Sequence, residues 1–384
     1  MIIQCTNALL DKLKINKDNL NPLEGQIPSD DLWAWHANLV NIDRRKASII
    51  LMNNKTRYSV VIYRPKSKDY TKIKEHIQKA ITAALRIEGV GEDVITNYFT
   101  VGGEIEFSKT ADRSTVAKLN RAVRDVEFLQ EYLDESSLIQ RYISIITGRF
   151  IQSAPTGKGF YPVEQLLKCL SLHCNNCEDV LDVEMYQMKI HLKLEEWDIW
   201  RRVLVPSTYS FRHLHNIIQI VFDWHNYHLH EFYAHKQDSK TMHILMDDDP
   251  ETLAWIDFGA RDVSQERFTA LKDIFPVYDK VEYVYDFGDG WQHTITLEKV
   301  IRSNEFKATY LDGNGERPPE DVGGAGGYQE YMDIMANEKH PEHESMKAWA
   351  ESQKERKLSP EQINRQLRQS ISGYTYHYSP HLFE

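Results

Sequence analysis

The stretch that decides the fold of the C-terminal half is Val284-Tyr-Asp-Phe-Gly-Asp-Gly-Trp-Gln-His-Thr-Ile-Thr-Leu-Glu298. It predicts a β-hairpin, because Asp289-Gly290 is a favoured turn pair and the residues that follow alternate between apolar and polar. In a strand, successive side chains point to opposite faces, so Trp291, His293 and Ile295 share one face. The sequence therefore predicts His293 on the apolar side of the hairpin.

Upstream of the hairpin, Trp224-His-Asn-Tyr-His-Leu-His-Glu-Phe232 contains three histidines. His228 and His230 would point to the same face of a strand, and two histidines at this spacing can bind one metal ion. If acidic or histidine side chains of the hairpin faced them, three or four ligands would converge on a divalent metal ion, the candidate cofactor. The alternative is a buried, hydrogen-bonded network of structural residues. The candidate metal ligands are His228, His230, Asp286, Asp289 and His293.

A third motif is the loop Pro318-Pro-Glu-Asp-Val-Gly-Gly-Ala-Gly-Gly-Tyr328, which is expected to lead into the start of a helix. Backbone N–H groups at a helix start can hold an anion, but Glu320 and Asp321 would repel phosphate unless a cation intervened. Alternatively, the two acidic side chains cap the glycine-rich turn themselves. Taken together, the three motifs predict a ligand- or partner-binding surface formed by Trp224, His228, His230, Asp286, Asp289, Trp291, His293, Glu320, Asp321 and Tyr328.

Length and composition indicate a folded protein with more than one domain. A chain of 384 residues exceeds one ordinary core, and a hydrophobic content of 41% excludes general disorder. We find no apolar run long enough to span a bilayer and no signal peptide, so no membrane association is expected. Four cysteines are too few for a disulfide framework, which favours a reducing cytoplasm.

Charge is unevenly distributed along the chain. Residues 1–150 carry 22 Lys and Arg against 19 Asp and Glu, whereas the remainder accounts for most of the net charge of −11. An acidic half is a poor binder of nucleic-acid backbone, which requires a basic surface. The densest basic segment is Arg44-Arg45-Lys46, and a nucleic-acid role for it is the weaker alternative to a solvated loop.

The predicted fold class is α+β with two domains. Residues 1–135 would form an N-terminal α+β domain, with a strand hairpin near residues 47–63 and helices over 68–88 and 112–133. Residues 136–182 are expected to be a partly helical connector. Residues 183–350 would form the second domain, and residues 351–384 a C-terminal helix and tail that begins at the capping box Ser359-Pro-Glu-Gln362.

Within the second domain, the alternating runs 186–194 and 199–205 predict a hairpin, and a helix follows from about Ser210. Its apolar face contains Leu214, Ile217, Ile218, Val221 and Phe222. Extended runs over 228–235, 241–246, 281–286 and 291–299 would complete the sheet. This order is typical of a β-grasp-like mixed sheet with a packed helix, here followed by C-terminal helices.

The C-terminal half resembles the plasmid pRiA4b ORF-3-like family of bacterial and archaeal proteins over roughly residues 183–350. The resemblance implies an α+β fold and no established activity. A weaker resemblance of the N-terminal segment is to an uncharacterised bacterial domain, and it implies no function either. The matching family segments are Ile199-Trp-Arg-Arg202, Leu214-His-x3-Gln219, His228-Leu-His-x-Phe232, Tyr283-x-Tyr-Asp-Phe-Gly-Asp-x-Trp-x-His293, Pro318-Pro-Glu-Asp-x-Gly-Gly324 and Gly327-Tyr328.

Three functional hypotheses follow. The leading one is a non-enzymatic binding or adaptor protein of the bacterial cytoplasm that recognises an unknown protein or small molecule through the aromatic and histidine face. The second is a metal-dependent, hydrolase-like enzyme, in which the metal activates water and Glu231 or Glu298 acts as base. The third, a nucleic-acid-binding protein associated with mobile elements, depends on family labels and the mildly basic first half.

Overall fold

The computed structural model of the protein describes most of the chain, which divides into two compact units. The first comprises Met1–Val183 with Asn304–Phe306, and the second comprises Glu184–Ser303 with Lys307–Glu384. Both combine helices with a sheet, which confirms the predicted two-domain α+β class. The described residues are 1–16, 20, 31–42, 47–110, 113–153, 157, 159–174, 179–236, 241–246, 262–275, 277–278, 280–352 and 358–371.

The first unit is built on a five-stranded sheet with the order β4-β3-β2-β1-β5, in which β1 is parallel to both of its neighbours. Its strands are β1 Ile2–Cys5, β2 Ala34–Val40, β3 Ser48–Asn53, β4 Ser59–Ile62 and β5 Glu106–Lys109, with the separate pair β6 Gln152–Ser153 and β7 Gly159–Phe160. Its helices are α1 Asn7–Lys12, α2 Ser67–Tyr70, α3 Ile73–Ile87, α4 Glu92–Gly102, α5 Arg113–Phe128, α6 Arg141–Thr147 and α7 Pro162–His173.

The two long helices of this unit follow the predicted apolar spacing. In α3, the buried side chains recur every three or four residues, so one stripe faces the core. In α5, Leu119, Val123 and Val126 are buried. This helix ends at Phe128, and a 3₁₀ turn at Gln130–Tyr132 replaces the last predicted turn.

The described part of residues 136–182, predicted to be a partly helical connector, belongs to the first unit. Helix α7 packs Val163, Leu166 and Leu170 into the hydrophobic core that also contains the central strands of the first sheet. In α6, Ile143 and Ile146 are buried as well. The helices are short and separated by glycine-containing turns, a pattern typical of a connector, but their apolar side chains pack in the first unit.

The second unit contains an eight-stranded sheet with the order β12-β11-β10-β13-β14-β8-β9-β15. It is mixed, because β11 and β12 are parallel whereas β10, β13 and β14 form an antiparallel run. Its strands are β8 Val183–Lys193, β9 Asp198–Pro206, β10 His230–His235, β11 Met242–Leu245, β12 Asp262–Gln265, β13 Lys280–Tyr285, β14 Trp291–Ser303 and β15 Thr309–Asn314. Its helices are α8 Phe211–Phe222, α9 Leu271–Ile274, α10 Gly324–Ala336, α11 His343–Ser352 and α12 Pro360–Ile371.

Helix α8 covers one face of this sheet. Ser210 is its N-cap, and the ring of His213 completes the capping box. The predicted apolar face of α8, including Ile217 and Phe222, is buried. The helix also turns polar groups inward, because Nε2 of Gln219 donates to the hydroxyl of Tyr283 on β13 at 3.0 Å. The predicted sheet with a packed helix is therefore present, with more strands than the sequence indicated.

Helix α12 closes the free edge of the sheet at β15. It begins with the predicted capping box, in which the Gln362 side chain accepts the N–H of Ser359 at 2.8 Å. One turn later, Oδ1 of Asn364 accepts the N–H of Tyr310 at 2.7 Å, and Nδ2 of Asn364 donates to the Tyr310 carbonyl at 3.1 Å. The amide of Asn364 thus replaces one residue of a neighbouring strand.

Two features bear on the predicted localisation. Within the described parts of the chain, no helix combines the length and the apolar character needed to cross a bilayer. Cys5 and Cys169 are buried free thiols, and burial raises the pKa of Cys5 to about 12. Cys174 is disulfide-bonded, so the cysteines do not establish a reducing compartment. Cytoplasmic localisation stays a prediction.

Candidate functional site

The loop of the decisive hairpin holds one carboxylate in a fixed orientation. Strands β13 and β14 pair up to Tyr285 and Trp291, which leaves Asp286–Gly290 as the loop. Asp286 adopts a left-handed backbone conformation with φ of 60°. Its Oδ1 accepts the N–H groups of Gly288 at 2.9 Å and Asp289 at 3.3 Å. Because these bonds engage Oδ1, the second oxygen, Oδ2, remains available for a ligand.

His228 and two carboxylates form a compact cluster at this loop. Nε2 of His228 lies 3.2 Å from Oδ1 of Asp321 and 3.7 Å from Oδ2 of Asp286. The three ligand atoms lie within 4.8 Å of one another. Nε2 of His228 makes no hydrogen bond to any described residue. Nitrogen and oxygen ligands lie about 2.0–2.2 Å from zinc, so such separations suit neighbouring ligands of one ion.

The cluster is open to solvent on one side. The side chain of Asp286 is 9% exposed and that of His228 is 23% exposed, whereas Asp321 is 52% exposed. His228 and Asp286 are thus largely enclosed by neighbouring residues, and Asp321 lies on the solvent side of the cluster. A metal ion bound there would have three protein ligands and free coordination positions facing water, the arrangement of sites that exchange a ligand.

A buried hydrogen-bond network joins the loops that carry His228 and Asp321. The hydroxyl of Tyr285 donates to Oε1 of Glu320 at 2.9 Å. Burial and the nearby Glu320 raise the pKa of Tyr285. The fully buried Glu320 also accepts the N–H of His225 at 3.0 Å. Glu320 therefore positions the loops.

Asp289 supports the site through a hydrogen bond from its side chain to the backbone of a neighbouring loop. Its Oδ2 accepts the N–H of Gly323, the N-cap of α10, at 3.2 Å. This bond links the hairpin loop to the loop that precedes α10. The side chain is therefore engaged away from His228, and Asp289 does not belong to the metal-ligand cluster.

His230 lies in the core of the second unit. It is 1% exposed, and its Nε2 is hydrogen-bonded to Oε2 of the fully buried Glu266 at 2.9 Å. Its ring stacks on His215 of α8 with ring centroids 3.5 Å apart. Arg212 pairs with Glu266 at 2.7 Å. Of the two interpretations left open by the sequence, the buried structural network describes His230.

His293 is also a core residue. It is fully buried, and its Nδ1 donates to the carbonyl of Trp291 at 3.2 Å. Its ring meets the ring of Phe222 edge-on at 5.0 Å. Burial lowers the pKa of His293 to about 3, so the imidazole is neutral at physiological pH. Its position on the apolar side of the hairpin agrees with strand alternation.

The aromatic residues predicted at the binding surface are buried. Trp224 is 5% exposed, and it stacks on the 2% exposed Trp291 with ring centroids 5.8 Å apart. Tyr328 is 6% exposed, and its ring lies 4.8 Å from that of Trp197. The expected aromatic binding face is therefore part of the core, because these large rings pack under the loops that carry the polar cluster.

The structure thus divides the ten predicted site residues into three groups. His228, Asp286 and Asp321 converge at the surface, and Glu320 and Asp289 hold their loops. The other five are buried in the core, namely Trp224, His230, Trp291, His293 and Tyr328. Sequence reasoning did not group Asp321 with the candidate metal ligands, and it did not identify His225 as a partner of Glu320. Arg44-Arg45-Lys46 lies outside the described residues, so the basic segment stays a prediction.

Comparisons with known proteins agree with the two units. Residues 184–367 match the family model of the plasmid pRiA4b ORF-3-like protein, and residues 2–165 match a domain of unknown function, DUF6933. The chain is 32% identical over 168 residues to the uncharacterised protein y4hQ of Sinorhizobium fredii (strain NBRC 101917 / NGR234), covering 43% of this chain and 80% of the relative.

Among solved structures, a protein of unknown function, MM3350 from Methanosarcina mazei Go1, is 30% identical. The match has a TM-score of 0.39 and covers 46% of this chain and 92% of that protein. None of these descriptions names an activity. The identity to y4hQ and its coverage, together with the family-model match, establish that the chain belongs to the plasmid pRiA4b ORF-3-like protein family.

Proposed function

We propose that the C-terminal domain is a non-enzymatic binding domain that holds a divalent metal ion at His228, Asp286 and Asp321 and takes its ligand there. The observation that carries this proposal is the position of Nε2 of His228, 3.2 Å and 3.7 Å from two carboxylate oxygens without a hydrogen bond to either. A histidine that served only as an ion-pair partner would be expected to orient an N–H toward one oxygen. One imidazole nitrogen with two carboxylate oxygens suits zinc or manganese.

The support of the loops favours a prearranged site. Oδ1 of Asp286 is engaged by two backbone N–H groups, and the carboxylate of Glu320 accepts both the hydroxyl of Tyr285 and the backbone N–H of His225. Such outer bonds orient ligating side chains and are a regular part of metal sites. Binding then requires little rearrangement, because two of the three ligands are already held.

The hydrolase alternative receives less support. Both carboxylates considered as the base are engaged elsewhere. Glu298 accepts two bonds from Arg202, the shorter at 2.7 Å, and Glu231 lies 2.6 Å from Nε2 of His243. Near the cluster, Glu320 is fully buried and hydrogen-bonded to Tyr285. A metal-bound water would therefore lack the general base that the hydrolase hypothesis assumed.

Titration calorimetry of the full-length protein with Zn²⁺ or Mn²⁺ tests the proposal. We expect one site per chain, and a rise in melting temperature on metal addition because only the folded state binds. Asp286→Asn and Asp321→Asn keep the shape and the hydrogen-bonding oxygen of each side chain. Each should weaken metal affinity at least about tenfold, since an amide oxygen is a poor replacement for a charged ligand.

The matched control is Asp333→Asn on α10, an exposed carboxylate whose hydrogen-bond partner is Gln329 of the same helix. This variant should bind metal as the parent does. Absence of stoichiometric binding, or equal affinity in all four proteins, would refute the metal site and with it the proposed function.

A further inference from the structure

Given the proposed metal site, we infer that its ligand is an uncharged nitrogen heterocycle of the imidazole type attached to an apolar group, in preference to a phosphate or carboxylate. The inference deepens the proposed function and depends on it. It follows from two properties of the loops around the cluster, their charge and their exposed apolar side chains.

The charge around the cluster is strongly negative. The three loops that form it, residues 223–229, 286–290 and 316–323, contain six Asp or Glu residues and a single Lys or Arg residue, Arg317. Arg317 is 4% exposed and is bonded to the carbonyls of Asp223 and Pro318. This cation therefore faces the backbone under the loops and is unavailable to a ligand at the surface.

A divalent ion does not reverse this balance. Asp286 and Asp321 alone supply two negative charges, which neutralise the ion, and the buried Glu320 lies beside Asp321 in the chain. An incoming oxyanion would approach a centre without net positive charge, surrounded by further carboxylates, and like charges repel strongly in such partly desolvated surroundings. An uncharged nitrogen donor avoids this cost while it still fills a coordination position that zinc or cobalt accepts.

Exposed apolar side chains flank the ligand residues on both loops. Along the chain, Tyr227 precedes His228 and Leu229 follows it, and their exposed fractions are 57% and 41%. Phe287 follows Asp286 in the chain and is 45% exposed. The ring of Tyr227 lies 4.7 Å from that of His228. The carbonyl of Leu229 accepts the N–H of Asp286 at 2.9 Å, so the two loops adjoin here. Apolar side chains around a few convergent polar groups are typical of a ligand site.

The chemistry of the ligand follows from these two properties together. Its donor atom must be neutral, and an adjoining aromatic or aliphatic group would cover Tyr227, Leu229 and Phe287. The apolar surface that such a group removes from water contributes roughly 25 cal/mol per Å² to the binding free energy. A histidine side chain within an apolar peptide segment and a small phenyl-substituted imidazole share this chemistry.

The test uses the full-length protein without a histidine tag, loaded with Co²⁺, whose visible absorption reports on exchange of its ligands. The probes are 4-phenylimidazole, imidazole and phenylacetate. We expect 4-phenylimidazole to bind at least about tenfold more tightly than imidazole, because only the former covers the apolar side chains. We expect phenylacetate, which carries the same ring on a carboxylate, to bind more weakly than 4-phenylimidazole.

The variants Phe287→Ser and Leu229→Ser separate the apolar contribution from metal binding. Each should lower the affinity for 4-phenylimidazole several-fold and leave the affinities for Co²⁺ and imidazole unchanged. As a matched control, Val300→Ser removes another exposed apolar side chain, from β14, and should alter none of the three affinities.

The outcomes distinguish the two proposals. Absence of Co²⁺ binding overturns the metal site, and the inference falls with it. If Co²⁺ binds but phenylacetate competes as well as 4-phenylimidazole, or if both serine variants bind 4-phenylimidazole like the parent, the metal site stands and the inferred ligand class is wrong.

Discussion

The carbonyl oxygen of Asp289 lies directly against Gly324, so that a Cβ at Gly324 would be 2.3 Å from that oxygen. Gly324 also has a φ of 67°, a conformation that other L-residues rarely adopt. The bond from Gly323 N–H to the carboxylate of Asp289 reinforces the same contact. Because Asp286 and Asp321 belong to the two loops that meet here, this contact sets the separation of two candidate metal ligands.

Substitution of Gly324 should therefore damage both the fold and the site. We expect Gly324→Ala to lower the free energy of unfolding by roughly 1–3 kcal/mol, the range for a residue forced into a disfavoured backbone conformation. Metal affinity should fall as well, because the loop bearing Asp321 must move away from Asp289. Urea unfolding and calorimetry with Zn²⁺ measure the two effects.

Gly326→Ala in the same helix is the matched control, because a Cβ there meets no atom within 4 Å. Alanine should stabilise that helical position by up to about 1 kcal/mol and leave metal affinity unchanged. If Gly324→Ala were as stable as Gly326→Ala and bound metal equally well, the contact with Asp289 would not determine the site.

The sequence predicted the members of the site better than their grouping. The alternation of the hairpin correctly assigned His293 to the apolar side, because a strand period depends only on local geometry. The convergence of Asp321 with His228 was not predictable in this way. It depends on loops that are distant in sequence and that the sheet brings together. The only indication in the sequence was the acidic pair Glu320-Asp321 beside the glycines.

A similar limit applies to His230. Strand alternation would place His228 and His230 on one face of a continuous strand. However, β10 begins only at His230, so His228 lies in the preceding loop, where alternation does not apply. A prediction based on a continuous strand therefore joined two histidines with different surroundings. The exact start of a strand is the least predictable part of a sequence pattern.

Removal of the Tyr285 hydroxyl should loosen the site without removing a ligand. Tyr285→Phe deletes the hydroxyl that donates to Glu320, the carboxylate that also accepts the backbone N–H of His225 in the loop bearing His228. We expect a loss of about 1–3 kcal/mol in unfolding free energy, because buried polar groups lose their partner. Calorimetry should show weaker metal binding at unchanged stoichiometry.

Tyr98→Phe makes the same chemical change in the first unit, where the hydroxyl donates to the carbonyl of Leu32 at 3.0 Å. It should destabilise the protein without altering metal affinity. Equal metal affinity in Tyr285→Phe and the parent would mean that the hydrogen-bond network does not position His228.

The contact between Asn364 and Tyr310 should stabilise the edge of the second sheet. Asn364→Ala removes two hydrogen bonds to one backbone residue of β15, and each such bond contributes about 0.5–1.5 kcal/mol. We expect urea unfolding to show a loss of roughly 1–2 kcal/mol. Since an uncovered strand edge can pair with another chain, size-exclusion chromatography should also show more self-association.

The control is Arg365→Ala, which changes an exposed neighbour on α12 and should alter stability by less than about 0.5 kcal/mol. A loss of similar size in both variants would contradict a specific role for Asn364.

His293 should make stability depend on pH between about 6.5 and 3. Its pKa falls from 6.5 to about 3 on folding, so the unfolded chain binds a proton in this interval that the folded protein does not. The free energy of unfolding is then highest above pH 6.5 and decreases as the pH falls, by at most about 1.4 kcal/mol per pH unit for this residue. His215, whose pKa burial also lowers well below 6.5, adds to the same slope.

The variant His293→Leu isolates this contribution, because leucine fills similar volume beside Phe222 and carries no titrating group. Its unfolding free energy, measured in urea at pH 6 and at pH 5, should decrease by about 1 kcal/mol less than that of the parent across this interval. The remaining slope comes from His215 and from carboxylates. Only the slope is compared, because replacing a buried imidazole also changes packing at every pH. An unchanged slope in the variant would contradict the prediction, because it would mean that the fully buried His293 is protonated in the folded protein.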